Sequence, residues 1–122
     1  MARNSYFVIK SVSLSANGTG DITIQTDANE TLYIHKIAFN STGAFEIYDF
    51  EDSRGGSYTN ATTDNPLPSA FLPILQSNLD IYIDLPEPLV LPPSTVLTIS
   101  VKDKSGSSNT VYFFAVGVRE IK

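Results

Sequence analysis

Four carboxylates, Glu46, Asp49, Glu51 and Asp52, fall within a short stretch just before the flexible pair Gly55-Gly56. Calcium takes several oxygen ligands and favours carboxylates on a flexible loop, so a hard cation would sit here if anywhere. The spacing matches no EF-hand loop, and a solvated strand end accounts for the same residues. His35, the single histidine, stands mid-strand beside Lys36 and reads as a surface or half-buried side chain. Asp80 and Asp84 are the candidate pair for glycoside hydrolysis. Along one strand their Cα atoms lie about 13 Å apart, beyond the ~5–9.5 Å between carboxyl groups that this chemistry uses. They read better as outward polar positions. No catalytic residue, metal ligand or cofactor site is assigned.

Sugar binding is the second chemistry to weigh, because β-sandwich modules stack sugars on exposed aromatic rings. Tyr33, Tyr48, Tyr58, Tyr82 and Tyr112 are available for it, but tryptophan, the preferred platform, is absent. Asn-X-Ser/Thr sequons occur at Asn17, Asn29, Asn40 and Asn60 in a chain with 25 serines and threonines, where some arise by chance. The N-terminus lacks the apolar run of a signal peptide, so these sequons are read as unused.

The elements that must position these residues follow a period of two. Alternating apolar residues predict strands over 6–14, 21–26, 31–40, 44–50, 79–85, 95–101 and 110–121, with a short apolar run at 69–75. The start of the first strand, with Phe7 and Ile9 opposite Tyr6 and Val8, predicts burial on both sides. In the third, Leu32, Ile34 and Ala38 are expected on one face and Tyr33, Ile37 and Phe39 on the other. Phe45 and Ile47 are expected to point inward. No window carries an amphipathic helix. About eight strands separated by short turns define an all-β chain, an antiparallel sandwich of jelly-roll type forming one domain over 1–122.

Composition excludes several classes of function. With 42% hydrophobic and 17% charged residues the chain is too apolar for disorder. Its net charge of -5 and its eight scattered basic residues argue against nucleic-acid binding. No segment approaches the ~20 apolar residues of a membrane span. The absence of cysteine excludes disulfides and thiol chemistry.

Four of the seven prolines lie between Pro86 and Pro93, in DLPEPLVLPPSTVLTISV. Proline fixes φ and cannot donate to a ladder, which predicts an extended, unpaired crossover leaving one sheet after Leu85 and entering the other at Thr95. Leu89, Val90 and Leu91 are expected to cover the open end of the core. This order of elements resembles a segment of small jelly-roll virion proteins of tailed phages: capsid decoration proteins, auxiliary capsid proteins and head-fibre bases. The resemblance rests on Ile81, Ile83 and Leu85, on Pro88-Leu89-Val90-Leu91-Pro92-Pro93, on Leu97, Ile99 and Val101, and on the terminal apolar strand Val111 to Val118. Ser94 departs from it, because glycine is common in such turns.

The resemblance implies a structural virion protein without enzymatic activity, made in the host cytoplasm. It would bind the major capsid protein or other virion proteins, and a homo-oligomer, a trimer first, is expected. A carbohydrate-binding sandwich is the alternative. The polar loop 51–66 and the run from Ala70 to Leu75 are the expected contact surfaces, with Arg54, Tyr58, Phe71, Leu72 and Pro73 as interface candidates. Core burial is the competing expectation for the apolar run.

Overall fold

The computed structural model describes residues 2–72 and 82–122. The strands are β1 (Ala2–Leu14), β2 (Thr19–Gln25), β3 (Glu30–Ser41), β4 (Phe45–Asp52), β5 (Leu67–Pro68), β6 (Ile83–Leu91), β7 (Val96–Asp103) and β8 (Asn109–Ile121), with a 3-10 turn at Ser69–Phe71. They form two antiparallel four-stranded sheets. Sheet A has the order β1-β8-β3-β6 and sheet B the order β2-β7-β4-β5. Every connection except β4 to β5 carries the chain from one sheet to the other. Two interleaved four-stranded sheets of this order make a jelly-roll sandwich rather than a closed barrel.

Alternation builds the core. Ile22 and Ile24 of β2 and Leu97, Ile99 and Val101 of β7 face Ile34, Phe39, Val111 and Phe113 of sheet A across the interior. Phe39, Phe45, Phe50 and Phe113 form its aromatic centre, with the Phe39 and Phe113 rings 5.3 Å apart. Leu89 and Leu91 of β6 join this core, whereas Val90 points outward.

Two bulges break the alternation, and the first corrects the facing expected for β3, while Phe45 and Ile47 of β4 point inward as expected. Against β8, Ile34 pairs with Gly117 and Lys36 with Val116, leaving His35 as the extra, exposed residue. One added residue inverts side-chain parity, so Leu32, Ile34, Ile37 and Phe39 point inward and Tyr33 and Ala38 outward. At Tyr48 in β4 a second bulge turns Phe50 inward and Asp49 outward. Gly117 meets the first bulge: a Cβ there would lie 1.8 Å from the Tyr33 carbonyl oxygen. Only a residue without a side chain lets β3 approach that closely.

The prolines behave differently from expectation. The chain does not leave sheet A after Leu85, because β6 pairs with β3 on both sides of Pro86 and Pro88. His35 of β3 faces the four residues from Leu85 to Pro88, so both rings sit in an outward bulge of an edge strand that loses no ladder donor. The crossing between sheets takes only residues 92–95. There Ser94 adopts φ 56°, a left-handed conformation that glycine takes without strain.

That crossing is tied from both sides. The buried Thr26 hydroxyl donates to the Pro92 carbonyl at 2.6 Å and accepts from the Thr95 amide at 2.9 Å. From outside, Arg54 donates through Nε to Thr95 Oγ1 at 2.8 Å and through Nη2 to the Pro93 carbonyl at 3.1 Å. At the other end of β7 the buried Asp103 carboxylate accepts the amides of Asn17, Ser105 and Gly106, the Ser105 hydroxyl and the Asn109 side chain. Asn109 in turn bonds Gly43 and Ala44. Three loops are thereby joined through one charge. The hydrogen bonds, led by the one from Ser105, hold the Asp103 carboxyl far below the usual aspartate range.

Candidate functional site

The outer face of sheet A carries the feature that a sandwich strand does not need. On β8, Tyr112, Phe114, Val116 and Val118 point away from the core, since Val111, Phe113 and Ala115 fill it. Beside them on β1 are Phe7, opposite Val116, and Ile9, opposite Phe114. Phe7 is 62% exposed, Ile9 69% and Tyr112 46%. The two-sided burial expected for this strand is therefore wrong. The residues are apolar on both faces, yet one face has no sheet over it among the described residues.

The exposed side chains are organised. The Phe7 and Phe114 rings stack at 6.2 Å with 11° between planes, and Tyr82 leans on the other side of Phe114 at 6.1 Å. Between Ile9, Ala38, Asn40, Tyr82, Tyr112 and Phe114 lies an open groove of about 400 Å³. Ala38 forms its floor because the His35 bulge turned it outward.

The face is also electrically quiet. The charges it carries pair with each other: Arg3 with Glu120 at 2.9 Å near one end, and Lys36, beside Val116, with Asp84 at 3.6 Å. Arg3 further covers the Tyr33 ring, 5.2 Å from its centroid. Sheet B differs, because its outward positions include Asp21, Glu46, Asp49 and Glu51. The chain's negative charge is thus concentrated away from the aromatic face.

Most of the residues singled out from sequence lie elsewhere. Arg54 is committed to the crossing at 93–95. Tyr58 packs edge-on against Phe50 with centroids 5.5 Å apart, and its hydroxyl donates to Asp52. Partial burial and that carboxylate push the Tyr58 phenol up to about 12, and the same bond, with the Gly56 and Arg54 amides, lowers Asp52. Asp52 therefore closes its own loop. Among the described residues no three acidic or histidine side chains converge as a metal site would require. Asp84 is engaged with Lys36, and Asp80 lies outside the described residues.

Phe71 is 75% exposed, against the expectation of core burial for its run, while Leu72 packs partly against the core. Pro73, Ile74 and Leu75 lie outside the described residues. Of the five tyrosines considered for sugar stacking, Tyr82 and Tyr112 share the groove, and Tyr48 and Tyr58 stand on other parts of the surface. The aromatic face went unrecognised in the sequence although a signal was present. In β1 and β8, large apolar residues occupy both parities, one more face than a solvated antiparallel sheet buries.

Fold and face together define an eight-stranded jelly-roll sandwich with one aromatic exterior, whose charges are paired, and one acidic exterior. No family model matches the chain, and no curated protein does. Among solved structures it is similar to the Drosophila NLP-core, whose crystal structure concerns pentamer formation and histone binding. That likeness has 16% identity and a TM-score of 0.37, and covers 92% of this chain and 97% of the other.

Proposed function

We propose that this chain is a non-enzymatic adhesion domain, a virion protein of the capsid decoration or auxiliary kind, that attaches to a protein shell through the outer face of sheet A. The observation that supports this most is the contiguous exposure of Phe7, Ile9 and Tyr112 around Phe114. Scattered apolar residues are ordinary on a surface, whereas a contiguous aromatic patch marks a contact site. Aromatic enrichment with few charges is the composition of an interface centre. A sugar would instead need several polar groups converging on the rings. The groove offers Asn40, whose side-chain oxygen already accepts the Ser41 amide at 2.8 Å, and the tyrosine hydroxyls.

The test is co-sedimentation with tailed-phage capsid shells assembled without this chain, alongside a glycan array. Wild-type protein is expected to pellet with shells, and Tyr112→Lys to stay in the supernatant with unchanged circular dichroism. Protein that ignores the shells yet binds glycans would overturn the reading in favour of a carbohydrate-binding module.

A further inference from the structure

The four sheet edges of the sandwich are not equivalent. β6 bulges outward with Pro86 and Pro88, and β5 is two residues long and ends in Pro68. β2 spans seven residues. Short strands, prolines and bulges are the devices that stop one sheet from pairing with another. β2 and β1 have neither proline nor bulge, and β1 is the longer by far: it pairs with β8 in thirteen consecutive positions without a register shift. Alternate residues of an antiparallel strand direct their N–H and C=O groups away from the partner. Among the described residues, no strand takes up those groups on the far side of β1.

We infer that β1 is the site at which a second copy of this chain adds to sheet A, antiparallel and about a two-fold axis at Val8. The side chains select this register. Pairing centred on Val8 sets Phe7 against Ile9 of the copy, Ile9 against its Phe7, and Ser5 against its Ser11, all on the outer face. The two exposed large apolar side chains of β1 thereby pack side by side with those of the copy. On the inner side Val8 meets Val8, and Lys10 falls across from Tyr6, whose ring already carries the Arg119 guanidinium 5.2 Å from its centroid.

The reciprocal match of β1 with itself identifies a second copy as the occupant, as a two-fold interface requires. β1 carries no acid, and its Arg3 is already paired with Glu120, so the seam sets no carboxylate of one copy against a carboxylate of the other. No like charges stand opposite each other in the Val8 register. The product is an eight-stranded sheet of order β6-β3-β8-β1-β1-β8-β3-β6 with one aromatic exterior running across both copies. Its symmetry is two-fold, in place of the trimer implied by the resemblance.

Because the chain has no cysteine, single cysteines report the register cleanly. Light scattering over a dilution series is expected to give twice 13.3 kDa at high concentration. Val8→Cys should form a disulfide-linked dimer on mild oxidation. Ser13→Cys should not, since its two copies lie about 33 Å apart in this register. Ile9→Lys, at an exposed position that leaves folding intact, should run as a monomer throughout. The proposal is overturned if the wild type stays monomeric, if Val8→Cys fails to cross-link in an oligomer of any size, or if Ile9→Lys keeps the wild-type mass. A monomer that still pellets with capsid shells would remove the dimer and leave the adhesion reading standing.

Discussion

At the scale of single residues, two positions carry more of the fold than their size implies. Gly117 lets the bulged β3 backbone pass where a Cβ would overlap the Tyr33 carbonyl. Backbone cannot swing aside as a side chain does, so Gly117→Ala is expected to cost about 3 kcal/mol or more, read as a lower urea midpoint. Asp103 holds three loops as an anion. Its folded pKa lies below the ordinary aspartate value of 3.8, so its contribution is complete above that pH and lost as pH falls through the folded value. Asp103→Asn should therefore be less stable than wild type at pH 7, and the gap should narrow steadily below about pH 4. Denaturant midpoints measured down the pH scale check this. A gap that stays constant would mean that the carboxylate's charge is not what joins the loops.

Among the elements, the crossing from β6 to β7 shows how far sequence reasoning reaches. Prolines at 86–93 correctly announce a change of sheet, but Pro86 and Pro88 sit within β6 and only residues 92–95 cross. An edge strand tolerates a missing donor, and nothing in a single sequence says which strand lies at an edge. Strand positions were legible because period two survives in the residues. The facing of Phe45 and Ile47 in β4 was legible too, but that of β3 beyond Ile34 was not, since the bulge at His35 becomes visible only against the partner strand. The aromatic face was hidden for a related reason: Phe7 and Ile9 look like core until the second sheet is known to lie on the other side. Ser94, where the resemblance leads one to expect glycine, holds φ 56°. Ser94→Gly is expected to stabilise the fold by about 0.5–1 kcal/mol, the relief of left-handed strain less the extra unfolded-state entropy. A raised thermal midpoint would show it, and a lowered one would assign the turn's stability to the serine side chain.

For the whole molecule, sheets that exchange strands at almost every connection place sequence neighbours far apart. Little of the sandwich can form before distant segments meet, so folding is expected in the range of milliseconds to seconds as one cooperative step. Stopped-flow tyrosine fluorescence should give one main exponential phase and V-shaped denaturant arms. A stable early species would instead point to one sheet forming without the other. The unlike exteriors of the two sheets have a colloidal consequence. A particle coated by this chain through sheet A would carry the carboxylates of Asp21, Glu46, Asp49 and Glu51 as its new outer skin. Each molecule bound would make the particle migrate faster toward the anode, and coated particles would repel one another instead of clumping.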